Sequence, residues 1–492
     1  MGDMRHLGIS LWAALAMLGG WALAAGAEDQ RPPAAAAGKT GRQPPARKPN
    51  VLFLLADQWR ADAVGYAGDP NVKTPNLDRL AGESLKFTHA ISGCPVCSPY
   101  RASLLTGQSP LTHGVFLNDV TLRPEAATLA KVFAGAGYDT AYVGKWHLDG
   151  HGRSAFIPRE RRQGFDYWKV LECTHDYNRS PYYGDTPEKR LWQGYDAEAQ
   201  TGDVRQYLRG RAGEARPFLA VLAWGPPHNP YETAPEKYRR MYDPARLKLR
   251  PNVPPEAQAQ ARRDLAGYYA HCTALDDCVG QLQATLKETG LEENTILVFT
   301  SDHGDMLGSH GRNRKQKPWD ESIRVPLLIR YPAAFGGAGR ETPLLINAED
   351  LMPTLLGLCG VRIPPAVEGR DFSGSLIAGA VPEDNAALIQ CPSPFGEWLR
   401  SQGGREYRGL RTLRYTFVRD LNGPWLLYDN EADPHQLRNL CGNPEYAPLQ
   451  ASLDRQLRLR LAQGGDHFLS GWDYIKQWGY RVDANGTVPY QP

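Results

Sequence analysis

The sequence predicts an α/β protein, a large mixed, mostly parallel sheet sandwiched by helices. Three observations carry this: continuous apolar runs of strand length, helical apolar spacing between them, and polar residues where several runs stop. "NVLFLLAD" is such a run and ends at Asp57-Gln58. "CSPYRASLLTG" reads as a helix with Ser98 as N-cap, Pro99 at the first helical position and Gly107 as the stop. Cys97 then sits at a helix N-terminus, where backbone N–H groups favour an anion, with Arg101 one turn in on the same face. "ATLAKVFAGAGYDTAYVGKWHLDG" gives a helix, a glycine stop and a strand leading to Lys145 and His147. "RPFLAVLAWGPPHNPY" is another buried strand, running into His228. "LAGYYAHCTALDDCVGQLQATLKETG" has helical spacing and precedes "NTILVFTSDHGD", a strand ending at Asp302-His303. "VPLLIRYP" adds a strand and "AEDLMPTLLGLCG" a helix.

In open parallel sheets ligands bind beyond the carboxyl ends of the strands. Asp57-Gln58, Lys145/His147, His228 and Asp302-His303 all fall at such ends, so a shared cleft is a better reading than four separate turns. Asp57, Asp302, Gln58 and His303 offer hard oxygen ligands and an imidazole, a set suited to Ca²⁺, Mg²⁺ or Mn²⁺. Lys145, His147, His228 and Lys315 add positive charge and proton-transfer groups. A metal with several cationic side chains is what a tetrahedral oxyanion such as sulfate or phosphate requires.

The chain has 492 residues, 42% of them apolar and 22% charged, ordinary for a well-cored protein. Residues 1–27 read as a secretory signal peptide, with a weakly basic start, an apolar run and Ala25-Gly26-Ala27 as cleavage site; a retained membrane anchor is the alternative. The expected location is periplasmic or secreted, with no stable membrane span after signal removal. Residues 28–48 read as a disordered Pro/Ala-rich linker. From Pro49 onward 50 basic residues face 51 acidic ones, which gives no basic stripe for nucleic acid.

Eight cysteines are present: Cys94, Cys97, Cys173, Cys272, Cys278, Cys359, Cys391 and Cys441. The Cys94-x-x-Cys97 spacing invites a zinc or redox reading. Zinc lacks a second ligand pair at suitable spacing, and the helix start after Cys97 leaves a thioredoxin-like site as the better of the two. Cys272 and Cys278 fall on a helix and read as core or as partners of other cysteines. Asn118, in "HGVFLND", reads as a pocket residue or a turn. The loop "CTHDYNRSPYY" offers His175, Asp176, Tyr177 and Arg179, a mixture suited to gripping a sugar or to a plain surface loop.

"CSPYRASLLTG" resembles the Cys-x-Pro-x-Arg signature of type I sulfatases, in which the cysteine is oxidised to Cα-formylglycine. "NVLFLLADQ", "GKWHLDG", "GPPHNPY", "TSDHGDMLGSHG" and "KQKPWDESIRVPLLIRYP" follow in that family's order, and the resemblance continues to "LLYDNEADPHQLRNL". It implies an alkaline-phosphatase-like catalytic domain over residues 49–375 and a smaller C-terminal subdomain over 376–492, an antiparallel sheet with a closing helix. It further implies that Cys97, as the aldehyde hydrate, is nucleophile and metal ligand, and that Asp57, Gln58, Asp302 and His303 hold the metal, Ca²⁺ first. Gln58 stands where many relatives have a second Asp. Arg101 would orient the hydrate, and Lys145 and Lys315 would clamp the sulfate, Lys315 being chosen over Lys317 by its distance from the aromatic of "PWDES". His228 would protonate the leaving alcohol and His147 would take the proton that frees sulfate. The implied partners are a formylglycine-generating maturation enzyme and a sulfated small molecule or glycan. Tyr100 departs from the family's small residue, and Cys94 raises the question of a disulfide with Cys97. A phosphonate or phosphodiester hydrolase of the same superfamily is one alternative; an unmatured chain that only binds sulfated glycans is another.

Overall fold

The computed structural model describes residues 47–490; the expected signal peptide and nearly all of the expected linker lie outside them. The strands, in chain order, are β1 Asn50–Asp57, β2 Leu85–Ile91, β3 Asp139–Lys145, β4 Tyr167–Leu171, β5 Pro181–Tyr182, β6 Arg190–Leu191, β7 Phe218–Pro227, β8 Thr295–Ser301, β9 Arg324–Val325, β10 Leu327–Arg330, β11 Arg340–Asn347, β12 Ala386–Cys391, β13 Tyr407–Thr412, β14 Tyr415–Asp420 and β15 Gly423–Asp429.

The main sheet runs β11-β2-β10-β8-β1-β7-β3-β4, with β9 beside β2. β1 lies at its centre, parallel to both β7 and β8, and every one of its residues is buried. Alternation sends Val51, Phe53 and Leu55 into one core and Leu52, Leu54 and Ala56 into the other. Burying a side chain of this kind contributes about 1.5–3 kcal/mol, which is why residues 51–56 contain no polar side chain. The first core also holds Leu104 and Leu105 from the helix Cys97–Thr106 and Leu351, Leu355 and Leu356 from the helix Ala348–Leu358. The second is covered by the 31-residue helix Gln258–Glu288, whose Leu265, Cys272, Leu275, Val279, Leu282 and Leu286 face inward. Cys272 and Cys278 are thus core residues.

The strand "VPLLIRYP" is β10, and it runs antiparallel to both β8 and β2. An antiparallel neighbour needs no crossover helix, and residues 302–326 supply only a short return. The sheet is therefore mixed: β8, β1, β7, β3 and β4 run parallel out to one edge, and β10 separates them from the parallel pair β2–β11 at the other.

β12 to β15 form a separate four-stranded antiparallel sheet. One face packs on the helix Ala447–Gln463 through Leu453, Leu457 and Leu461. The other packs on the large layer, where Ile389, Tyr407 and Val418 meet Ile91, Trp319 and Ile323. The expected boundary at 375/376 falls inside the helix Ser373–Ala378. The chain end does not stay with the small sheet: Tyr474 and Ile475 of the helix Gly471–Trp478 enter the first core of the large layer, and Trp478, Tyr480, Val482 and Val488 pack against it.

Candidate active site

β8, β1, β7 and β3 are consecutive and mutually parallel, so their carboxyl ends lie side by side. Asp57 ends β1, Lys145 ends β3, His228 follows β7 and Asp302 follows β8. β3 approaches β7 so closely at Gly144 that a Cβ there would lie 2.1 Å from the Ala223 carbonyl oxygen, and its φ of +105° suits glycine. That crossing positions Lys145.

The helix carrying Cys97 starts two residues earlier than its capping signals suggest. Cys97 is its first residue, and Val96, the extended residue before it, has no side chain that can cap it. Ser98 is not the N-cap and Pro99 is not the first helical position. Asn118 takes over the capping task, its Oδ1 accepting from the Ser98 N–H at 3.0 Å, while the Ser98 hydroxyl donates to the His147 carbonyl at 2.7 Å. Gly107 ends the helix with φ +65°, as expected.

Cys97 Sγ lies 3.1 Å from Lys315 Nζ, 3.2 Å from His303 Nε2, 3.7 Å from Asp57 Oδ1 and 3.8 Å from Lys145 Nζ. Arg101 donates from Nε and Nη2 to Asp302 Oδ2 (3.1 and 2.9 Å), from Nη2 to Asp57 Oδ2 (3.1 Å) and from Nη1 to the Lys145 carbonyl (3.0 Å). Lys145 Nζ donates to Asp57 Oδ2 at 2.6 Å. Lys315 Nζ also reaches Gln58 Oε1 (3.2 Å) and His228 Nε2 (2.9 Å), whereas Lys317 Nζ turns away to the Asn313 carbonyl. His228 Nδ1 faces the Asn229 carbonyl at 2.9 Å and must donate to it, so Nε2 accepts from Lys315.

Gln58, Asp119, His147 and Gln316 all have positive φ, between 61° and 71°. Such backbone costs of the order of 1–3 kcal/mol per residue and persists where the surroundings over-determine it. Here they do: the Gln58 N–H donates to Asp302 Oδ1 and its carbonyl accepts from Tyr268, while the His147 carbonyl accepts from Ser98.

Burial and Asp57 push the Cys97 thiol up, but Lys145, Lys315 and His303 outweigh them and hold it well below the ordinary thiol range. Asp57 is held well below the usual carboxylate range: burial opposes this, and Lys145, His228 and Arg101 overcome it. Asp302 is pushed up by burial and by Asp57. Burial disfavours a charged His147, yet Cys173, Asp119 and Cys97 push it up to about 9. Burial and then Lys315 hold His228 well below its ordinary value, which keeps it neutral.

Asp57, Cys97, Asp302 and His303 place one donor atom each within 4.8 Å of the others, all four residues buried. Two carboxylates and an imidazole converging without solvent fit a divalent cation, and the thiol marks a fourth position. Gln58 borders this set with its amide already engaged: Nε2 donates to Asp305 Oδ2 at 2.7 Å and Oε1 accepts from Lys315.

A cavity of about 290 Å³ opens above Cys97, lined by Asn118, Lys145, His147, His175, His228 and Lys315. His175 stacks on His228 with ring centroids 4.7 Å apart. Arg179 is not brought to this cavity: it is exposed and its N–H closes a turn on Asp176. Tyr177 is buried and Asp176 exposed. Sequence reasoning missed Asp119, Arg153, Cys173, Glu397 and Tyr490, which also line the cavity. Asp119 Oδ1 lies 3.4 Å from His147 Nε2, and Arg153 grips Asp119 through two hydrogen bonds of 2.9 and 2.8 Å.

All eight cysteines are free thiols. Cys94 points into the first core, where burial pushes its thiol up to about 12, while Cys97 faces the cavity. Among the described residues no helix is long and apolar enough to cross a membrane.

Comparison with known proteins agrees with this geometry. Residues 49–361 match the sulfatase family model, and residues 308–463 match that of the N-sulphoglucosamine sulphohydrolase C-terminal region. An ulvan-active sulfatase from Formosa agariphila is 49% identical over 90% of this chain and 87% of its own. An endo-4-O-sulfatase from Bacteroides thetaiotaomicron is 33% identical over 80% of this chain and 88% of its own. A solved structure in complex with its substrate D-glucosamine-2-N,6-O-disulfate superposes with a TM-score of 0.72 at 26% identity, covering 86% of this chain and 99% of that one. The chain therefore belongs to the sulfatase family, within the alkaline phosphatase superfamily, and is a sulfuric ester hydrolase.

Proposed function

We propose that the chain is an exported sulfatase that removes sulfate from a carbohydrate by way of formylglycine at position 97. The observation that carries this reading is the buried convergence of Lys145, Lys315, His147 and His228 on the Cys97 side chain, beside a four-donor metal set. The names of the similar proteins, ulvan-active and endo-4-O-sulfatase, support a glycan substrate.

Asp57, Asp302 and His303 would hold a divalent cation, Ca²⁺ before Mg²⁺ or Mn²⁺ given the hard oxygen donors. Gln58 stands beside them as a further oxygen ligand if Lys315 releases its Oε1. When bound, such a cation supplies Lewis-acid polarisation and offsets negative charge. Oxidised to formylglycine by a maturation enzyme and hydrated, residue 97 supplies a nucleophilic hydroxyl and a second hydroxyl that later expels sulfate; Cys97 Sγ stands in for those oxygens here.

The remaining chemistry rests on the chain's own side chains. Lys145 and Lys315 are cationic, buried and aimed at the nucleophile, so they hold sulfate oxygens where water cannot screen them. Arg101 fixes Asp57 and Asp302 through a rigid fork that engages four of its five N–H donors. His147, oriented by Asp119, takes the proton of the hydroxyl that remains on residue 97 when its ring is neutral, a form that gains population as pH rises toward about 9. His228 is neutral with Nε2 bound to the Lys315 ammonium, so the proton for the leaving alcohol oxygen is held by the Lys315–His228 pair.

The test has two arms. Peptide mass spectrometry across Cys97, on protein made in its own host, is expected to find the aldehyde or its hydrate; an intact thiol alone would favour a glycan-binding role. Cys97→Ser should release at most one equivalent of alcohol per chain, since a single hydroxyl cannot eliminate sulfate, and sustained turnover would sink the mechanism. Faster turnover of aryl phosphonate than of aryl sulfate esters would favour the phosphonate hydrolase reading.

A further inference from the structure

The last described residue, Tyr490, belongs to a tail that crosses from the small sheet back over the large layer. The tail is anchored on the way: Thr487 Oγ1 accepts from the Gly396 N–H at 3.1 Å, Asp483 and Thr487 exchange hydrogen bonds, and Val488 packs on the first core. Tyr490 thereby lines the wall of the catalytic cavity. The residue remains 49% exposed, although the Arg153 guanidinium carbon lies 3.5 Å from the ring centroid. With a cation over one face, the exposure that remains is assigned to the other face and the ring edge. The covering cation is itself fixed, held by both Asp119 oxygens. An aromatic ring at a cavity mouth, backed by a pinned guanidinium and with a free face, is a rigid flat surface with negative π density.

Such a surface is complementary to a pyranose ring, one face of which is lined by polarised C–H bonds. The same cavity lining supplies what the hydroxyls of that ring need: Glu397, 34% exposed and 3.7 Å from Lys315, is an acceptor, and His175 is partly exposed. The geometry points to Tyr490 as a sugar-stacking platform that selects sulfated pyranosides over simple aryl or alkyl sulfates. This inference rests on the sulfatase reading above and deepens it by naming the substrate class and a residue that determines it.

The experiment compares kcat/KM for p-nitrophenyl sulfate with that for a set of sulfated saccharides: ulvan oligosaccharides, N-acetylglucosamine 6-sulfate and chondroitin 4-sulfate disaccharide. It uses full-length wild-type enzyme and the variants Y490A, Y490L and Y490F. The wild type is expected to prefer at least one saccharide. Y490A and Y490L should lower the ratio of saccharide to aryl-sulfate kcat/KM by about tenfold, the scale of one aromatic contact, chiefly through KM. Y490F should keep the wild-type ratio, since it keeps the ring. A wild type that prefers p-nitrophenyl sulfate to every saccharide overturns the platform while leaving the sulfatase reading intact. An unchanged ratio in Y490A, or a Y490F as impaired as Y490L, also overturns it. No turnover of any sulfate by matured wild-type enzyme would instead overturn the sulfatase reading itself.

Discussion

Replacing Arg101 by Met tests whether the site is held together by charge. The guanidinium is buried and makes four hydrogen bonds, three to carboxylate oxygens of Asp302 and Asp57 and one to the Lys145 carbonyl. Asp57 would keep Lys145 at 2.6 Å, but Asp302 would keep only the Gln58 N–H at 3.0 Å and His303 Nε2 at 3.5 Å. Removing one partner of a buried ion pair costs about 3–5 kcal/mol. Against a total stability of roughly 5–15 kcal/mol, that loss is a fifth or more. Arg101 and a divalent cation neutralise the same two carboxylates, so they should substitute for each other in part. In EDTA, urea unfolding of R101M should give a stability about 3–5 kcal/mol below wild type; saturating Ca²⁺ should narrow the gap, since binding to the folded state alone stabilises it. A gap below about 1 kcal/mol in EDTA, or one that Ca²⁺ leaves unchanged, would refute the reasoning.

Two further outcomes follow from particular side chains. H228A should lower kcat about 10²–10⁴-fold on sugar sulfates, whose alkoxide needs a proton, and much less on p-nitrophenyl sulfate; equal losses would remove His228 from the leaving-group step. Asp196 begins the helix Asp196–Gly210, and its Oδ1 and Gln200 Oε1 lack partners beside a cavity of about 10 Å³ next to Lys145. Burial pushes this carboxyl up to about 8, against the pull of Ser180 and the Ala197 N–H. The folded state therefore binds the proton more tightly than the unfolded chain, and stability falls as pH rises from about 4 to about 8. D196N has no such titration, so its stability advantage should grow between pH 5 and pH 9, by about 4 kcal/mol at most; urea curves that stay parallel at both pH values would count against it.

The centre of the fold was readable because its signals are local. A strand buried on both faces must be continuously apolar, and "NVLFLLAD" can stop only where Asp57 leaves the sheet. The same logic placed Lys145, His228 and Asp302 at strand ends, and the topology brings those ends together. The direction of β10 was not readable, since an apolar run carries no sign of whether it runs up or down. The helix start was misplaced because Ser98 and Pro99 look like capping residues, while the group that relieves the first turn, Asn118, comes from 20 residues further on. The loop with His175 and Arg179 divided, one residue stacking on His228 and the other facing solvent. Arg153 and Tyr490 had no periodic or spacing signal. Their role arises from a contact between segments more than 300 residues apart, and nothing near either residue announces it.

Every residue of the helix Cys97–Thr106 is buried. The later helix Ala348–Leu358 packs on it, and the tail through Tyr490 walls the cavity that Cys97 faces. A protein catalyst that must grasp the segment around Cys97 can do so only while those later parts are unmade or unfolded. Synthesis at about 5–20 residues per second gives roughly 20–80 s between the appearance of Cys97 and that of Tyr490. On the formylglycine reading proposed above, the fold would set a clock on its own activation: a chain that closed before its thiol was oxidised would be sealed in the inactive form, and slower folding of the C-terminal part would raise the active fraction.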